Sequence, residues 1–118
     1  MLERRDYLQE LVDLGCDPDH LGTITYNPLM RKVDVSGSVY LNEQDLTRLP
    51  FAFGKVSGYF NCSGNRLTSL EGAPTKVGGS FWCSDNQLNS LEGAPREVGR
   101  NFECSADDLQ DVSALKHC

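Results

Sequence analysis

A repeat of 21 residues governs what this chain can fold into. From Val56 to Pro74 it reads Val-Ser-Gly-Tyr-Phe-Asn-Cys-Ser-Gly-Asn-Arg-Leu-Thr-Ser-Leu-Glu-Gly-Ala-Pro, and from Val77 to Pro95 Val-Gly-Gly-Ser-Phe-Trp-Cys-Ser-Asp-Asn-Gln-Leu-Asn-Ser-Leu-Glu-Gly-Ala-Pro. The same spacing leads back to Val35 and forward to Val98, so four copies begin at 35, 56, 77 and 98. A period of this length belongs to solenoids, in which each coil is one supersecondary unit. One coil cannot cover its own apolar edge, so its stability comes from its neighbours.

Aligning the copies gives columns. Val39, Phe60, Phe81 and Phe102 form one, and Leu41, Cys62, Cys83 and Cys104 the next. Leu46, Leu67, Leu88 and Leu109 follow, then Leu49, Leu70, Leu91 and Val112. At the start of a copy Val56, Gly58, Phe60 and Cys62 alternate with Ser57, Tyr59 and Asn61, the period of a strand buried on one face. Asn65 and Asn86 recur at the bend that follows, with Gln44 and Asp107 in the equivalent places. An Asn there has a physical reason, because its amide bonds to backbone groups that a turn leaves unpaired. So short a coil has little room for a return helix, which predicts an extended or 3₁₀-like return closed by Gly-Ala-Pro.

Phe60-x-Cys62-x-x-Asn65-x-Leu67 resembles the leucine-rich-repeat signature L-x-L-x-x-N-x-L, with Phe and Cys in place of two leucines. The return Leu67-x-x-Leu70-Glu71-x-Ala73-Pro74-x-x-Val77 is similar to that of the short bacterial subfamily, and Leu49-Pro50 restores its Leu-Pro step. The tandem motif also resembles repeats of phage and bacterial proteins. The resemblance covers residues 35–112. It implies an α/β leucine-rich-repeat solenoid with a parallel sheet of stacked short strands, in a single domain.

Residues 1–34 read as an N-terminal cap. Leu8, Leu11, Val12 and Leu14 recur at helical spacing between Leu2 and Gly15, and Asp17-Pro18-Asp19 marks a turn. Thr23–Tyr26 and Lys32–Val35 flank Asn27-Pro28 as a hairpin leading into the first repeat. The C-terminal end differs. The fourth copy has Arg100 and Asp107 where others have Gly and Asn, and only a short tail, 113–118, follows. An open edge there predicts self-assembly through that end, such as a two-fold homodimer.

The net charge of −6 and scattered basic residues argue against binding a phosphate backbone. No apolar run approaches the ~20 residues that span a bilayer, and the N-terminus lacks the apolar core of a secretory signal. Five cysteines, three of them in a core column, fit free thiols in a reducing cytoplasm. Cys62, Cys83 and Cys104 lack the C-x₂-C spacing of zinc sites and read as small core fillers. Neither His20 nor His117 stands in a catalytic spacing, and no phosphate loop or H-E-x-x-H occurs. No enzyme activity, metal or cofactor is expected.

The exposed strand positions carry the functional expectation. They are Ser38, Tyr40 and Asn42; Tyr59, Asn61 and Ser63; Ser80, Trp82 and Ser84; Asn101, Glu103 and Ser105. Core columns repeat while these vary, and large aromatics on a solvated face are common interface anchors. The expected site is Tyr40, Tyr59, Asn61, Trp82, Asn101 and Glu103 on a concave strand face, binding a protein partner. The likeness to phage repeats implies inhibition of a host or defence protein.

Overall fold

The computed structural model describes residues 6–103. Within them the chain winds into a β-solenoid of about 3 turns, with short parallel strands stacked from coil to coil.

Helix α1 (Tyr7–Asp13) opens the chain, its N-terminus capped by the Asp6 carboxylate, which accepts the Gln9 N–H at 3.0 Å. It is shorter than the spacing predicts; Leu11 is buried while Leu8 remains exposed. Helix α2 (Pro18–Leu21) begins with Asp17 accepting the Asp19 N–H and Pro18 in the first turn, where a missing N–H costs nothing. The hairpin of β1 (Ile24–Asn27) and β2 (Lys32–Val35) follows as expected, antiparallel, with Asn27 Oδ1 accepting the N–H groups of Leu29 and Met30 in its loop.

Two sheets, rather than one, line the coils. Strand β2 continues in parallel through β4 (Phe53–Val56), β6 (Lys76–Val77) and β8 (Glu97–Val98). The second sheet contains β3 (Val39–Tyr40), β5 (Phe60–Asn61), β7 (Phe81–Trp82) and β9 (Phe102–Glu103), all parallel. The single strand suggested by the alternation from Val56 to Cys62 therefore bends at 57–59. Pairing persists through the corner, where Gly58 N–H reaches Gly37 O and Gly79 N–H reaches Gly58 O, each at 2.8 Å. A side chain would be obstructed here: a Cβ on Gly79 would lie 2.6 Å from Tyr59 Cδ1 and 3.0 Å from Gly58 O.

The third side of each coil is the return, and no strand or helix forms in it among the described residues. Leu70-Glu71-Gly72-Ala73 closes as a β-turn with Ala73 N–H bonded to Leu70 O at 2.9 Å, and Leu91 to Ala94 repeats it at 3.0 Å. Gly72 and Gly93 stand third in these turns with φ of 93°, a left-handed conformation that L side chains adopt only with strain.

The columns meet inside. Phe60 stacks on Phe81 with centroids 5.5 Å apart, and Phe102 meets Phe81 at 5.2 Å with the planes tilted by 42°. Leu67, Leu70, Leu88 and Leu91 close the core from the return side, and Cys62 and Cys83 sit buried among them. Leu46, the first member of its column, is only half-buried.

Asn65 and Asn86 bind coil to coil as their recurrence suggests. Asn65 Oδ1 accepts the N–H groups of Gln44 and Leu46 in the preceding coil, each at 2.9 Å. Its Nδ2 donates to Leu41 O at 2.8 Å and to Cys62 O at 3.0 Å. Asn86 repeats this one coil on, with Leu67 N–H and the Cys62 and Cys83 carbonyls. Gln44 does not share the role. It is exposed, and its Nε2 donates locally, to Asn42 O at 3.3 Å. Cys104, Ser105, Asp107, Leu109, Val112, the tail 113–118 and the expected open C-terminal edge lie outside the described residues.

Candidate functional site

The second sheet has one face turned away from the core, and the expected contacts gather on it. Phe60 and Phe81 point inward at each register, so Tyr40, Asn61, Trp82 and Glu103 fall opposite one another across β3, β5, β7 and β9. They form one line along the solenoid axis. Tyr59 comes from the corner before β5 and stacks on Trp82, centroids 5.4 Å apart and planes inclined by 28°. This pair joins two coils diagonally, since the residue one repeat after Tyr59 is Ser80. Gly79 makes the arrangement possible by offering no side chain where the Tyr59 ring lies.

Polar groups fix the frame around the rings. Ser38 Oγ accepts the Tyr59 N–H at 2.9 Å, Ser80 Oγ the Asn101 N–H at 3.2 Å, and Ser63 Oγ the Ser84 N–H at 3.1 Å. Asn61 Oδ1 turns back to the Ser63 N–H at 3.0 Å. Ser80, expected to be solvated, is buried at 3% exposure beside Gly79, so its hydroxyl is structural rather than available. Asn101 and Glu103 are exposed, and Tyr40, Tyr59, Asn61 and Trp82 are half-buried. Rings held against neighbours in this way lose little freedom on contact with a partner.

One neighbour escaped the sequence reading. His20, at the end of α2, lies edge-on to Tyr40 with centroids 5.6 Å apart, extending the aromatic line by one ring. Its approach is set by backbone bonds that no side-chain column reveals: Ser38 N–H donates to His20 O and Gly37 N–H to Leu21 O.

The thiols among the described residues lie in the core. Cys16, Cys62 and Cys83 are free and buried. Burial pushes the Cys62 thiol up to about 12 and raises Cys16 as well; the Cys16 Sγ donates to Tyr40 O at 3.2 Å. Both remain protonated near neutral pH, the form that is neither nucleophile nor metal ligand. Among the described residues no three His, Cys, Asp or Glu side chains converge to hold a metal ion, and no helix is long and apolar enough to cross a membrane. A groove of about 730 Å³ runs along the return side instead, floored by Ala52, Gly72, Ala73 and Ala94 and rimmed by Lys32, Glu71, Glu92 and Arg96. It follows from the small residues of the Gly-Ala-Pro turns.

Comparison of the chain with protein-family models, curated proteins and solved structures finds no match.

Proposed function

We propose that the protein is a non-enzymatic binding module that holds a protein partner on the outward face of its second sheet. The observation that carries this reading is the composition of that face. Tyr40, Tyr59 and Trp82 stand among Ser38, Asn42, Asn61, Ser63, Ser84 and Asn101, and the Tyr59–Trp82 stack spans two coils. Tyr and Trp with Ser and Asn is the mixture that antibody paratopes use, rigid aromatic area beside adaptable hydrogen bonding. Glu103 adds one carboxylate to an otherwise uncharged strip, which favours a partner bringing an Arg or Lys to the rings.

The solenoid is a leucine-rich-repeat variant in which the Asn ladder and the Leu67 and Leu70 columns are kept. Helix α1 and the hairpin cap its first coil, supported by buried Leu11 and the antiparallel β1. Free buried thiols support a reducing, cytoplasmic setting. The likeness to phage repeats points to a host or defence protein as the partner, which the module inhibits by occupying its surface.

The test starts with capture from a candidate host lysate and moves to the purified partner. Binding is compared for wild type, Tyr59→Ala/Trp82→Ala and a Lys55→Ala/Lys76→Ala control on the first sheet. Loss confined to the aromatic variant supports the face; equal binding by wild type and the aromatic variant removes it.

A further inference from the structure

Strand β1 is the outermost strand of the first sheet, and its free side can be read from the pairing. Val33 N–H donates to Ala52 O and Val35 O accepts the Ser57 N–H, so Val33 and Val35 face β4. Lys32 and Asp34 therefore face β1, where they meet Asn27 and Thr25. The Ser36 N–H to Thr23 O bond continues the same alternation. The N–H and C=O groups of Ile24 and Tyr26 are left pointing away from the sheet, with no partner among the described residues. Beside the second sheet, the chain just before β3 is covered at this end, because the His20 and Leu21 carbonyls accept the Ser38 and Gly37 N–H groups.

A second observation marks the same end of the molecule. The large exposed hydrophobic side chains among the described residues are Leu8 (40%), Tyr26 (42%), Leu29 (92%) and Met30 (61%), all on α1, β1 or the hairpin loop. An apolar rim beside an unpaired strand is what natural proteins usually avoid or cover.

We propose that β1 is an interface between two copies of this chain, paired antiparallel about a two-fold axis at Thr25. The edge is complementary to itself. In that register Ile24 of each copy lies opposite Tyr26 of the other, and these are the residues with outward backbone groups. Each pair exchanges both of its N–H to O=C bonds, and each joins a β-branched to an aromatic side chain, a favourable cross-strand combination. Thr25 faces its own copy at the site without hydrogen bonds, where side chains approach most closely. A Thr–Thr pair suits that place. The two five-stranded sheets become one of ten strands, and Tyr26, stacked on Tyr7 at 5.4 Å, becomes covered together with Leu8. The aromatic strip of the second sheet is not used, so this pairing and partner binding stand or fall separately.

Sedimentation and light scattering over a concentration series test it with the full chain. Wild type passes from monomer to dimer as concentration rises. Thr25→Lys, an exposed substitution that brings two ammonium groups together across the axis, stays monomeric with an unchanged far-UV spectrum. Thr25→Cys, oxidised, gives a covalent dimer that oxidised wild type does not. Wild type remaining monomeric throughout overturns the proposal. So does Thr25→Lys dimerising as wild type does, which moves the interface to another surface such as the C-terminal edge. Failure of Thr25→Cys to cross-link in a protein that dimerises overturns the register.

Discussion

Asn65 and Asn86 each replace several missing backbone partners. The Asn65 amide satisfies two part-buried N–H groups of the preceding coil and two buried carbonyls, Leu41 O and Cys62 O. Removing a partner from buried groups costs about 1–3 kcal/mol each, so Asn65→Ala is expected to lose roughly 2–4 kcal/mol in urea unfolding. A loss under about 0.5 kcal/mol, the scatter of ordinary surface substitutions, would show that water takes over the amide's role. The repeat made this residue legible, since nothing but a structural need keeps an Asn at one register. It misled at Gln44, whose amide bonds locally to Asn42 O, because sequence alignment does not show where a longer side chain turns. Cys62 carries a pH dependence. Its folded value is raised from 9.0 to about 12, so the folded state holds the proton longer than the unfolded one. The stabilisation is complete below about pH 9 and is lost as pH rises toward 12. Cys62→Ala is expected to flatten that alkaline decline in a stability titration, and an identical slope in both proteins would contradict the assignment.

Among the elements, the corners and turns decide the shape. Period-two alternation runs unbroken from Val56 to Cys62, so it could not reveal that the strand bends into a second sheet. The signal was the recurrence of Gly37, Gly58 and Gly79 at the corner, where a Cβ would run into the backbone or side chain of the preceding segment. The turn glycines give a graded test. Gly72 and Gly93 share a φ of 93°, but a Cβ on Gly72 would meet Phe51 O at 3.2 Å and on Gly93 would meet Leu70 O at 2.7 Å. Left-handed strain of ~1–2 kcal/mol applies to both. Gly93→Ala is therefore expected to lower the thermal midpoint more than Gly72→Ala, and the reverse order would contradict the turn geometry.

For the whole molecule, burial and exposure follow different rules, and the sequence shows the first better than the second. Columns such as Val56, Phe60, Cys62 and Leu67 must stack, so the period exposes them directly, and all four are buried. The outward residues obey no period. Tyr59 and Trp82 could be placed on one face by alternation, but their stacking joins different columns of neighbouring coils, and the His20 contact arises from backbone bonds of α2. The same freedom is what lets such a face be selected for a partner. The free edge of β1 was hidden for another reason, since hydrogen-bond direction in a hairpin depends on a register that residue type does not report. The most direct measurement is the dissociation constant of the recovered partner for wild type and for Tyr59→Ala/Trp82→Ala. Buried aromatic anchors contribute about 2 kcal/mol or more each, so the double variant is expected to bind several hundredfold (~700-fold) more weakly, while Lys55→Ala/Lys76→Ala binds as wild type does. Unchanged affinity in the aromatic variant, with loss in the lysine variant, would contradict the assignment and move the site to the first sheet.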